Sequence, residues 1–136
     1  MPRRTPVSLR PQGRGLGLPW VRYRDVPGLS GAANAAVRQL ERERLCPGLV
    51  AVAVSVWSVR VHGTDRRWRP WEAEFTCLCC GGGWARDTLR DALAALPPRA
   101  AAELRRRVEH LDAVLLRRTH HEPTADPAAE WWHRRS

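Results

Sequence analysis

The sequence has no lysine and no isoleucine, and its 136 residues include one phenylalanine, one tyrosine and one methionine. All 23 basic residues are therefore arginine, against 14 acidic residues. Because this bias is typical of a very G+C-rich genome, the use of arginine does not by itself indicate bidentate recognition of phosphate or carboxylate. The net charge of +9 still favours polyanionic partners such as DNA, RNA or acidic proteins.

Long hydrophobic runs are also absent. The longest one, GLVAVAVSVW at residues 48–57, has about half of the ~20 residues that a membrane-spanning helix needs. The N-terminus carries arginines with no apolar segment after them, so we expect no secretory signal. These features predict a cytoplasmic protein without membrane contact. In that reducing compartment, four cysteines favour metal or thiol chemistry over a disulfide framework.

Catalytic motifs are scarce as well. The sequence contains no nucleophile elbow, P-loop, dinucleotide-binding fingerprint or His-Glu-x-x-His motif. The glycine-rich run GRGLG, residues 13–17, follows no predicted strand and opens no predicted helix, so it does not indicate a phosphate-binding loop. We expect a protein without enzymatic activity.

The chain divides by composition into three parts. Residues 1–28 carry five prolines, four glycines and six arginines with a single acidic residue, a pattern typical of a disordered basic arm. Residues 29–118 have the apolar periodicity of one folded domain. Residues 119–136 have no periodicity and end in Trp-Trp-His-Arg-Arg-Ser, which predicts a disordered tail with an aromatic and basic end.

The central part predicts an α+β fold. A serine N-cap and spaced apolar residues indicate a helix over residues 30–45. The β-branched run from residue 49 and the alternation over 71–79 predict a two-stranded antiparallel hairpin, with HGTD as its turn. Leucines at 89–96 and the three- and four-residue spacing over 99–118 predict an antiparallel helical hairpin, with both chain termini disordered.

Three cysteines lie within four residues in the segment FTCLCCGGGW. Cys77 and Cys80, followed by glycine, form a Cys-x-x-Cys-Gly knuckle that supplies two thiolates to Zn²⁺. The predicted hairpin register places Cys46 beside this knuckle, and the helical hairpin returns His110 to the same level. The candidate ligands of a structural zinc ion are therefore Cys46, Cys77, Cys79, Cys80 and His110.

Two alternatives remain open for these cysteines. Unligated cysteine is among the most often buried residue types, so the cluster is also compatible with plain core packing. A Cys-x-x-Cys between a strand and a helix also occurs in thiol redox proteins, in which the pKa of one thiol is lowered.

Aromatic and basic residues alternate in the segment DRRWRPW, at the predicted tip of the hairpin. Arg66, Arg67 and Arg69 can neutralise phosphates, and Trp68 offers a ring on which a base can stack. The alternative is a solvated tip with arginine stems lying over the indoles. Trp131 and Trp132 would expose a large apolar surface in a disordered tail, so we expect them to dock onto the domain or onto a partner protein.

The segments LRDALAALPPRAAAELRRRVEHLDAVLLRRT and ADPAAEWWHRRS, together with the cysteine turn, carry a family resemblance. Over residues 71–136 the chain resembles small proteins of high-G+C actinobacteria that combine a Cys-x-Cys-Cys turn, a Leu-Pro-Pro helical hairpin and a Trp-Trp-basic end. The family has no assigned activity, so the resemblance implies only that this segment belongs to one folded unit.

Together these features predict a small binding or regulatory protein, stabilised by structural Zn²⁺ and contacting DNA or RNA through the arm and the hairpin tip. One alternative is a protein–protein adaptor that docks through the Trp-Trp tail. Another is a thiol redox protein.

Overall fold

A computed structural model of the chain describes residues 24–63 and 83–135. The helices are α1 (Gly31–Arg44), α2 (Leu49–His62), α3 (Gly83–Ala95) and α4 (Pro98–Arg118), followed by a short 3₁₀ helix (Trp131–Arg134). These described ranges contain no β-strand, only an isolated antiparallel bridge between His121 and Arg135. The prediction of an α+β fold with a β-hairpin was therefore wrong. The expected second strand, residues 71–79, lies outside the described residues.

The segment expected to form the first strand is helix α2. Its buried residues Val50, Val54, Trp57 and Val61 are spaced by four, three and four, which places them on one helix face. In a strand, Val59 and Val61 would share a face, whereas Val59 is 73% exposed and Val61 is 1% exposed. Because α2 packs against α1, α3 and α4, it is apolar on most sides. A short run of that kind does not distinguish a strand from a buried helix, and burial overrides the β preference of valine.

The start of α1 is held by two polar side chains. Ser30 Oγ accepts a hydrogen bond of 3.1 Å from the backbone N–H of Ala33, which caps the helix as the sequence predicts. The Asn34 side chain accepts from the N–H of Val26 at 2.8 Å and donates to the Val26 carbonyl at 3.4 Å. Val26 is 1% exposed, so the packed unit begins before residue 29.

A sharp corner joins α1 to α2, where the chain bends by 108°. Gly48 caps α2 in the left-handed region at φ 77°, a conformation that glycine adopts without a steric penalty. Together with the preceding Pro47, it ends one helix and starts the next within four residues.

Helices α3 and α4 form the helical hairpin that the sequence predicts, with slightly different bounds. Pro98 occupies the first position of α4, where its missing N–H costs no helical hydrogen bond. The buried side of α4 repeats at three and four residues and includes Ala101, Leu104, Val108, Leu111 and Leu115.

One buried ion pair connects three helices. Arg86 of α3 donates from Nε and Nη2 to both carboxylate oxygens of Asp112 on α4, at 2.9–3.2 Å. Trp57 of α2 donates its indole N–H to Asp112 Oδ1 at 3.0 Å. Arg86 and Asp112 are 9% and 7% exposed, so both charges are largely removed from water and depend on each other.

The C-terminal segment, residues 119–135, packs against this network. The Trp132 ring lies over the Arg86 guanidinium at 4.2 Å, and its indole N–H donates to Asp87 Oδ1 at 2.9 Å. Trp132 is 4% exposed and belongs to the core. The expectation of a disordered C-terminal tail was therefore wrong, because burial of this large ring and its polar contacts offset the entropy of ordering the segment.

No single helix in the described ranges is long and apolar enough to cross a membrane. Helices α1 and α2 have the length and composition of a membrane span only when they are taken together across their bend.

Removing one partner of the buried ion pair should destabilise the fold strongly. We expect Asp112→Leu and Arg86→Met each to lower the free energy of unfolding by about 3–5 kcal/mol, because each leaves an unpaired buried charge. The double variant should lose clearly less than the sum of the single losses. Urea denaturation of the four proteins measures this coupling, and additive losses would contradict the paired arrangement.

Trp132 should contribute far more to stability than its neighbour Trp131. Trp132→Ala removes a core ring and should cost about 3–5 kcal/mol. Trp131→Ala removes a half-buried ring and is the matched control, with an expected cost of about 1 kcal/mol. Equal urea midpoints for Trp132→Ala and the unmodified protein would show that the C-terminal segment does not dock.

Candidate nucleic-acid interface

The outer side of α4 carries a line of basic side chains. Arg99, Arg106, His110 and Arg117 are separated by seven, four and seven residues. At 100° per residue they lie within about 20° of one line along the helix, which extends for about 27 Å. All four are exposed, opposite the side that packs on the core. We call these four residues the α4 basic face.

The arginines of this face make no direct polar contact with the described residues. Arg99, Arg106 and Arg117 form no ion pair and donate no side-chain hydrogen bond there, and Arg106 acts on Glu103 only through its charge. By contrast, Arg118 at the end of the same helix donates to the carbonyl oxygens of Val61 at 2.6 Å and Gly63 at 2.9 Å. The three guanidinium groups therefore keep their donors available for a ligand.

A nearby carboxylate is occupied by α1. The two oxygens of Glu103 accept from Ser30, one from its backbone N–H at 2.7 Å and the other from its hydroxyl at 2.8 Å. These hydrogen bonds, together with the charge of Arg106, hold the pKa of Glu103 below its ordinary value. Glu103 thus fastens the start of α1 to α4 and keeps its negative charge beside the basic face.

The helix as a whole has an excess of positive charge. It contains six arginines against Glu103, Glu109 and Asp112, and the last of these is paired with Arg86 in the core. Most of the surplus therefore faces solvent, where it attracts polyanions.

The residues predicted to contact nucleic acid were different ones. Arg66, Arg67, Trp68 and Arg69 lie outside the described residues, so their proposed role stays a prediction. The α4 basic face was not among the predicted nucleic-acid contacts. The 7-4-7 spacing of its four residues within a helical pattern was the signal that could have found it.

Two of the five predicted metal ligands lie within the described residues. Cys77, Cys79 and Cys80 lie outside the described residues. Cys46 is half-buried in the corner between α1 and α2, and His110 is exposed on α4. The predicted hairpin register placed Cys46 beside the knuckle, and that register is wrong because residues 49–62 are helical. In the ranges that are described, no group of three or more His, Cys, Asp or Glu side chains could hold a metal ion.

The predicted partner-binding tryptophans lie against α3. Trp132 is buried, as described above, and Trp131 is half-buried with its ring edge-on to Trp132 at 5.7 Å. His133 Nε2 lies 2.9 Å from Asp87 Oδ1, and Gly83 leaves room for the imidazole, since a Cβ there would lie 2.5 Å from His133 Cε1. The two rings were expected to dock either onto their own domain or onto a partner protein, and Trp132 docks onto its own domain.

The Asp87–His133 pair resembles the carboxylate–imidazole part of a catalytic site. A nucleophile would have to lie within hydrogen-bond distance of the ring. Among the described residues, no hydroxyl or thiol is hydrogen-bonded to His133, and its ring contacts the Asp87 carboxylate. The pair therefore serves to position the C-terminal segment.

Glu41 is a fully buried acidic residue at the corner between α1 and α2. Its exposed fraction is 0%, and neither carboxylate oxygen makes a hydrogen bond of normal geometry. Burial raises the pKa of Glu41 to about 7, although the backbone N–H groups at the start of α2 and the charge of Arg38 lower it in part. Because the group is closed off from solvent, we assign it to the core and not to acid–base catalysis.

No protein-family model, curated protein or solved structure matches the chain. The function of the chain is therefore inferred from the geometry of the described residues.

Replacing Glu41 with glutamine should stabilise the protein at high pH. The pKa of Glu41 is about 7 in the folded state against an ordinary 4.5, so the folded state binds more protons than the unfolded state between these values. Stability due to this group therefore falls as pH rises from about 4.5 to 7 and stays low above it. Glutamine remains neutral, so we expect Glu41→Gln to gain roughly 1–3 kcal/mol at pH 8 and almost nothing at pH 4.

Urea denaturation of both proteins at the two pH values measures this difference directly. A loss of stability at pH 8 in Glu41→Gln would mean that the charged carboxylate stabilises the start of α2.

Proposed function

We propose that the protein is a small, non-enzymatic nucleic-acid-binding protein that contacts the phosphate backbone through the α4 basic face. One observation carries this proposal: three exposed arginines that donate no hydrogen bond to the described residues, and one exposed histidine, lie in a line about 27 Å long on a single helix. Guanidinium groups donate to phosphate oxygens in a fixed fork geometry, and the histidine adds a further hydrogen-bond donor.

Charge elsewhere in the sequence supports the same ligand class. Residues 1–23 contain five arginines and no acidic residue, so they add +5 to the charge of the chain. Binding would therefore combine the contribution of this stretch with that of α4. Such binding is driven by release of counterions from the nucleic acid, which makes it strongly dependent on salt.

The adaptor function has less support. Trp132 would have to leave the core and give up its contacts with Arg86 and Asp87 before it could bind a partner. The zinc site and the thiol redox function depend on Cys77, Cys79 and Cys80, so they stay predictions from the sequence.

A matched pair of variants tests the proposal. Arg106→Ala/Arg117→Ala removes two charges from the α4 basic face, and Arg42→Ala/Arg44→Ala removes two exposed charges from the last turn of α1. We expect the first to weaken binding roughly tenfold, since an exposed ion pair contributes up to about 1 kcal/mol. It should also reduce the slope of log K against log salt by about two.

Fluorescence anisotropy with a labelled mixed-sequence 24-mer, single-stranded and annealed, measures both quantities. The α1 variant should change them much less, although the net charge of the chain falls by the same amount. Equal losses in the two variants would mean that net charge and not α4 determines binding. Absence of binding to either form at low salt would refute the proposal.

A further inference from the structure

The shape of the α4 basic face indicates which nucleic acid it fits. We infer that the ligand is double-stranded DNA and that α4 binds it along the face that carries Arg99, Arg106 and Arg117. This inference rests on the proposed function.

The spacing of the cationic groups favours a stiff ligand. Arg99 and Arg106 are about 10.5 Å apart along the helix axis, and Arg106 and Arg117 are about 16.5 Å apart. B-DNA presents one phosphate per ~1.7 Å of its axis and stays straight over distances far longer than α4. It therefore offers partners to all three arginines without being reshaped. A single strand would have to be held extended over about 27 Å, at a cost in conformational entropy.

Within the described residues, the α4 basic face lacks the aromatic platform that single-strand binding uses. Proteins that bind single strands stack bases on exposed aromatic rings. The exposed positions of α4 carry no tryptophan, tyrosine or phenylalanine, and their one ring is the small imidazole of His110. In the described part of the chain, Trp57 and Trp132 are buried in the core, and Trp84 and Trp131 are half-buried against it. Contacts to the backbone therefore dominate at this face, and they suit a duplex whose bases are already stacked.

The binding surface lies on an α-helix, and this favours DNA over RNA as the ligand. The major groove of B-DNA is about 12 Å wide and admits an α-helix, whereas the corresponding groove of double-stranded RNA is deep and narrow. Two small exposed residues, Ala102 and Ala113, lie beside the basic line on the side away from Glu103, so the helix is narrow on that side. Arg99 and Arg117, near the two ends of α4, are placed to reach phosphates on either side.

Three probes of one sequence test this inference: a labelled 24-base-pair DNA duplex, the 24-nucleotide DNA strand and a 24-base-pair RNA duplex. Binding to the full chain is measured by anisotropy at one salt concentration. We expect the DNA duplex to bind at least about tenfold more tightly than either other probe. In Arg106→Ala/Arg117→Ala we expect this preference to shrink as the overall affinity falls, whereas Arg42→Ala/Arg44→Ala should keep it.

The outcomes separate the two proposals. Equal or tighter binding of the single strand or the RNA duplex, still weakened by Arg106→Ala/Arg117→Ala, would overturn the duplex-DNA inference and leave the proposed function standing. Binding to none of the probes, or duplex binding that the α4 variant does not change, would overturn both.

Discussion

The buried ion pair between Arg86 and Asp112 constrains the rest of the structure. Each charge is removed from water, so the fold is stable only if α3 and α4 bring the two together and α2 supplies the Trp57 N–H. The same guanidinium forms the surface on which Trp132 stacks. Because Asp112 must point into this cluster, the rotation of α4 about its own axis is determined. Its opposite side, with the basic line, is then turned to solvent.

Arginine performs several different tasks in the described part of this protein. Arg86 is an internal cation, and Arg118 and Arg135 donate to carbonyl oxygens near the ends of helices, including those of Val61 and Leu116. Among residues 24–63 and 83–135, the arginines of the α4 basic face have no such acceptor. Composition cannot separate these tasks, because the sequence uses arginine at every basic position. Only burial and hydrogen-bond partners show which arginines are available to a ligand.

The parts of the fold that local signals specify were predictable. The Ser30 cap, the Leu-Pro-Pro break and the apolar spacing of α4 each indicate a helix from a few neighbouring residues, and helices lie there. Helix α2 was not predictable in this way. Its sequence is apolar on most sides, and only its packing against α1, α3 and α4 explains why a helix has that composition. The predicted hairpin, and with it the link from Cys46 to the other cysteines, failed for that reason.

The sequence predicted the chemistry of the candidate site but not its location. An excess of arginine indicated a polyanionic partner, but it did not identify α4. That required knowing which side of the helix Asp112 and Leu104 bury. Conversely, Trp132 was a candidate partner-binding residue, because the sequence does not show that Arg86 lies beneath its ring. In both cases the missing information was a contact between residues distant in the chain.

Amide NMR spectra of the full chain, recorded during titration with a DNA duplex, would locate the binding surface residue by residue. Within residues 24–63 and 83–135, we expect the largest shift changes on the exposed side of α4, at and around Arg99, Arg106, His110 and Arg117. The last turn of α1, which includes Arg42 and Arg44, should change little. Changes concentrated on α1, or spread evenly over all exposed arginines, would contradict the assignment of α4 as the binding surface.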